Sequence, residues 1–242
     1  MPEHSQSDEA RQGADTANLV GHYRINLDGT WLFEEISELP HLYLQVYGFF
    51  AEMEAPRPEV DFEYLPSQPI DFRRFNYPWA GGWSAANFYR GLVRNLRDDA
   101  VPRVVQIQFA SPGFIELSLW LAAAAAVRRC INETAKTASI VNKTYDEIYK
   151  GMHARQLLAL DVRKKTLELA REEMAFVAKA RKQLANAIGL TEREAEGAVR
   201  LGPGTSEQVL EKNELGTVKM LMSLTRRIIG LAKFEEDGKA KF

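Results

Sequence analysis

Every lysine of this 242-residue chain lies at or after Lys136, and 19 of its 24 aromatic residues lie before it. Residues 1–127 carry 9 Arg and 17 Asp plus Glu, a net of −8, and residues 128–242 carry 22 Lys plus Arg against 16 Asp plus Glu, a net of +6. Rings supply the large apolar surfaces around which compact cores form. Long charged side chains coat solvated helices. The division predicts an acidic, aromatic-rich globule over residues 21–130 and a basic helical arm over residues 131–235. A disordered stretch (1–20) precedes them and a frayed tail (236–242) follows. The expected fold class is α+β: a small two- or three-stranded sheet covered by helices, then a long α-helical region of antiparallel-hairpin or coiled-coil-like character.

Local signals place the elements. Tyr23 to Leu27 alternates large and polar residues and meets Asp28-Gly29, the pattern of a strand entering a turn. Trp31 to Ala51 has three- and four-residue apolar steps, which predict a helix interrupted or kinked at Pro40. Five prolines between Pro56 and Pro78 predict extended, irregular chain. Ser84 can cap a helix reaching about Asp98. Val104 to Phe109 alternates β-branched and aromatic residues with glutamines, and predicts a strand. Ser111-Pro112-Gly113 then reads as the cap and first turn of an apolar helix over residues 114–127.

The basic half reads as helix with defined interruptions. Asn, Ser and Thr are frequent between Ile131 and Thr144, which predicts a bend there. Residues 143–188 follow as one helical stretch of 46 residues, about 69 Å long at 1.5 Å per residue. Gly189 is placed to end it. Thr191-x-x-Glu194 and Thr205-x-x-Gln208 form capping boxes for two further helices, separated by the loop Leu201-Gly202-Pro203-Gly204.

The long helix carries a thin apolar stripe of Leu158, Val162, Leu169, Phe176, Leu184 and Ile188. The last helix carries a second, including Val218, Leu221, Met222, Ile228 and Ile229. A hairpin of two such helices has little interior of its own. The stripes therefore predict self-association, or docking of a partner protein, through these residues. On this reading the chain is a non-enzymatic adaptor or regulatory protein.

Two other readings compete. Residues 114–127 are strongly apolar but fall short of the roughly 20 residues that cross a bilayer. With Arg128 and Arg129 following, they suggest a helix that inserts into a membrane on activation. The loop holding Trp79 and Trp83, preceded by Arg73 and Arg74, suggests a sensor for a small anionic or stacking ligand. Nucleic-acid binding is disfavoured, because residues 128–182 intersperse 13 Lys plus Arg with 7 Asp plus Glu.

No catalytic constellation is visible. The four histidines are scattered, so no metal site and no cofactor is expected. Ser111 has no base near it in sequence, and the adjacent carboxylate pairs do not share a helix face. Cys130 is the only cysteine. That excludes an intrachain disulfide and fits a reducing, cytoplasmic compartment. The strand, Ser-Pro-Gly and apolar-helix junction over residues 104–127 is similar to uncharacterised bacterial proteins associated with defence or conflict loci. That similarity implies a stress-response or defence setting and assigns no family or site.

Overall fold

A computed structural model describes residues 19–54, 83–158, 171–201 and 214–242. Strand β1, Val20–Leu27, has one face of His22, Arg24 and Asn26 and another of Tyr23, Ile25 and Leu27. Strand β3, Gly113–Trp120, repeats the division with Phe114, Glu116 and Ser118 against Ile115, Leu117 and Leu119. Their antiparallel register sets Arg24 opposite Glu116 and Ile25 opposite Ile115. Period-two patterning buries every apolar residue of one face together. Strand β2, Arg103–Gln108, pairs with the other edge of β3, and the two-residue β4, Ala240–Lys241, pairs with β1. The sheet is four-stranded and antiparallel, in the order β2-β3-β1-β4.

Seven helices complete the described chain, which is α+β with a largely helical C-terminal half. Helix α1, Phe33–Glu54, crosses the inner face of the sheet. Its Tyr43 stacks on Tyr23, and its Tyr47 hydroxyl donates to Ala100 O (2.8 Å) and accepts from Trp120 N (3.0 Å). Pro40 lies inside α1 without ending it. The proline is exposed. Helix α2, Trp83–Asn95, packs on α1 with Tyr89 and Leu92 buried. The expected apolar helix over residues 114–127 is instead strand β3 followed at once by helix α3, Leu121–Lys136. Its first half alternates and finds a strand on each side. Three of its five alanines, Ala123, Ala124 and Ala126, lie buried on α3.

Thr137 separates α3 from helix α4, Ala138–Ala154, at the predicted bend. The chain then leaves helical geometry, with Gln156 at φ +55°, so residues 143–188 are not one rod. Helix α5, Arg171–Ala187, ends at Gly189, whose φ of +70° is the left-handed conformation of a helix C-terminus. Helix α6, Glu192–Leu201, opens on the predicted capping box: Thr191 N donates to Glu194 Oε2 (2.8 Å) and Glu194 N to Thr191 Oγ1 (3.3 Å). The second capping box and its loop lie outside the described residues, as do the Pro-rich segment and residues 1–18.

Helix α7, Glu214–Glu236, is the centre of the molecule. Leu215 to Met222 are buried without a break. It packs against α1, α3 and α5 together. One apolar cluster joins Ile25 of β1, Phe49 of α1, Val127 of α3, Leu184 of α5 and Leu221 of α7. The partition into an aromatic globule and a separate arm is thereby corrected: the α7 stripe completes the core around which the rings pack. The tail is corrected as well. Gly238 turns the chain (φ +69°), β4 joins the sheet, and buried Phe242 stacks on Tyr43. Lys239 pairs with Glu35 at the start of α1.

Candidate interaction edge of the sheet

Strand β2 has β3 on one side and, among the described residues, no strand on the other. Its place follows from the tight connection to β3. A Cβ on Gly113 would lie 2.4 Å from Gln108 O and 2.5 Å from Ala110 O, so this turn admits glycine alone. Ser111 Oγ donates to Asp28 Oδ1 (2.6 Å) and accepts from Gly29 N (3.1 Å), fastening the hairpin loop to the end of β1. The loop is not a helix cap, as the Ser-Pro start suggested.

The register between β2 and β3 sets Val104 opposite Leu117, Gln106 opposite Glu116 and Ile107 opposite Ile115. Val105 is the extra residue of a bulge. Val104 and Ile107 therefore share the face on which Leu117 and Ile115 are buried, while Gln106 and Gln108 share the polar face. Yet every residue of β2 is exposed. Val104, Val105, Ile107 and Phe109 keep between 43% and 63% of their surface accessible. Among the described residues, the helical layer leaves this strand accessible. An edge strand with no charge after Arg103 and with accessible apolar side chains is what natural sheets ordinarily cover or interrupt with charge.

The polar face carries a second cluster. Glu116 Oε1 accepts from His22 Nδ1 (2.7 Å) and its Oε2 accepts from Arg24 (2.7 Å). These bonds hold the carboxyl below its ordinary range. The Arg24 guanidinium also lies 4.1 Å above the Phe114 ring. Within the cluster the Arg24 and Glu116 charges offset each other.

No family model, curated protein or solved structure matches the chain.

The residues expected to meet a partner are placed elsewhere. Leu184, Ile188, Val218, Leu221, Met222 and Ile228 are buried in the core of a single copy. Ile229 and Leu158 are half-buried against it, and the Leu158 carbonyl accepts from Lys219 Nζ (3.0 Å). Phe176 rests where a Cβ on Gly151 would come within 2.5 Å of its ring, and Arg155 lies 4.1 Å above it. These side chains are spent within the fold and do not present the face that the stripes suggested. Val162 and Leu169 lie outside the described residues. So do Arg73, Arg74 and Trp79; Trp83 opens α2, and its side chain is not among those described.

Cys130 is buried beneath Arg129, and burial pushes its thiol up to about 12. Among the described residues no group of three or more His, Cys, Asp or Glu side chains is placed to hold a metal. None of the described helices is long and apolar enough to cross a membrane.

The β2 edge was missed because alternation shows that a strand has one apolar face, not whether anything covers it. The absence of charge from Val104 to Phe109 was the available signal.

Proposed function

We propose that this protein is a non-enzymatic assembly module that docks a protein partner by strand addition at β2. One observation carries the reading: an edge without a partner strand among the described residues, whose apolar side chains Val104 and Ile107 face the same side as the core yet remain accessible. Strand addition gives such an edge main-chain hydrogen bonds, with alternate side chains supplying specificity. The rest of the fold supports a binding role. The sheet is braced by α1 and closed by β4, so the edge is presented on a rigid support.

The test is the size of the assembly in native extract. The wild-type chain should migrate well above its monomer size, and a Val105→Lys/Ile107→Lys variant should fall to it. Both positions are exposed, so the substitutions leave the core intact, which circular dichroism checks. Identical migration of the two forms would remove the proposal.

A further inference from the structure

The polar face of the sheet, opposite the helices, has an order of its own. Register sets its side chains in three rows across the strands. Arg103 and His22 share the first row, on either side of Ser118. Gln106, Glu116 and Arg24 form the second. Gln108, Phe114, Asn26 and Lys241 form the third. Among the described residues nothing covers this face, and its β1 and β2 members and Lys241 are exposed.

Three of these side chains are permanent cations, one in each row. Arg103 stands on β2, Arg24 on β1 and Lys241 on β4. They follow one diagonal of the sheet, about 20 Å end to end from the strand spacing and the rise per residue. The amides of Gln106, Gln108 and Asn26 and the Phe114 ring lie together on one side of that diagonal. Glu116 is the only carboxylate in the three rows, and His22 and Arg24 hold it at 2.7 Å each. Asp28, Asp98 and Asp99 lie outside the strand ladder. Arg24 differs from the other two cations. Its guanidinium rests 4.1 Å above the Phe114 ring and bonds to Glu116, yet the side chain is half exposed. A guanidinium fixed in this way on a ring offers its other plane for stacking.

We propose that this face binds single-stranded RNA. A single strand has phosphates along one margin and unstacked bases along the other. The diagonal and its amide side have the same division. Arg103 and Lys241 take phosphates, and a base stacks on the Arg24 plane. Gln106, Gln108 and Asn26 both donate and accept, as base edges and the ribose 2′-hydroxyl do. A duplex hides its base faces, and its major groove admits a two-stranded ribbon, not a four-stranded sheet. The mixed charges of residues 128–182 play no part. The contacts are also independent of strand addition, since Val104 and Ile107 of β2 belong to the opposite face.

Fluorescence anisotropy of a labelled, mixed-sequence RNA of about 12 nucleotides, titrated with the purified full-length chain, tests the proposal. The wild type should bind it at low salt, and more tightly than the same sequence as DNA or as duplex RNA. Arg24→Lys keeps a cation beside Glu116 but loses the plane, and should weaken binding about tenfold. Arg103→Ala and Lys241→Ala should each lower the slope of log affinity against log salt by about 0.7, one phosphate contact on a single strand. Lys150→Ala, exposed on α4, removes the same charge elsewhere and should leave affinity and slope unchanged. Circular dichroism equal to wild type checks that each variant folds.

No binding at low salt overturns the proposal. So does binding that Arg24→Lys leaves unchanged, that Lys150→Ala weakens as much as Arg103→Ala, or that DNA or duplex RNA matches. Displacement of the RNA by an equal charge of polyglutamate overturns it too, and marks an acidic protein as the occupant.

Discussion

Tyr47 joins three parts of the chain through one hydroxyl. It donates to Ala100 O and accepts from Trp120 N, the residue before α3. Tyr47→Phe strands a buried amide and a buried carbonyl, so it should lower unfolding stability by about 1–3 kcal/mol. Urea denaturation measures this, and a midpoint equal to wild type would contradict the assignment. The tyrosines also set the alkaline limit. Burial raises the Tyr23 and Tyr47 phenols from 10.0 to about 12, and raises Tyr43 and Tyr89 further. Between pH 10 and 12 the unfolded chain loses protons that the folded chain keeps. Stability is therefore fully present below pH 10 and falls as pH rises through that window. Urea midpoints from pH 8 to pH 11 should be flat and then drop; a level profile would refute the shifts. None of this was legible beforehand. The ring content of residues 1–127 announced a core, but which hydroxyl meets which backbone group depends on the angle at which α1 crosses the sheet.

At the scale of elements, the junction of α5 and α6 shows why boundaries are readable. Gly189 supplies the left-handed turn, and Thr191 and Glu194 satisfy each other's backbone amides within four residues. Such partners are neighbours in sequence, so the pattern is visible without the fold. What the pattern does not show is that Glu194 also accepts from Arg129 of α3, which makes a local cap into a tertiary tie. Thr191→Ala should cost about 1 kcal/mol. Glu194→Ala should cost more, about 2 kcal/mol, because it also leaves the half-buried Arg129 without its carboxylate. Equal losses in chemical denaturation would show that the Arg129 contact contributes nothing. The segment over residues 114–127 misleads for the opposite reason. An apolar stretch with a weak alternation suits either a buried helix or a strand paired on both sides, and only the presence of β1 and β2 decides it.

At the scale of the whole molecule, α7 makes the fold one cooperative unit. Its stripe touches α1, α3 and α5 at once, so removing it opens the centre. A fragment of residues 19–136 should lack a cooperative thermal transition; a sharp one, with dispersed amide resonances, would restore the idea of an independent aromatic globule. Leu221→Ala should cost about 3 kcal/mol and shift tryptophan fluorescence and far-ultraviolet dichroism together. The sequence by itself determined the polarity of each segment and most of the points where helices and strands begin and end, because those depend on residues a few positions apart. Tertiary structure alone decided which apolar faces are used up inside one copy and which are left over. The sparse stripes of the basic half became the core, whereas the alternating β2 strand became the surface, since coverage depends on segments that meet only after folding.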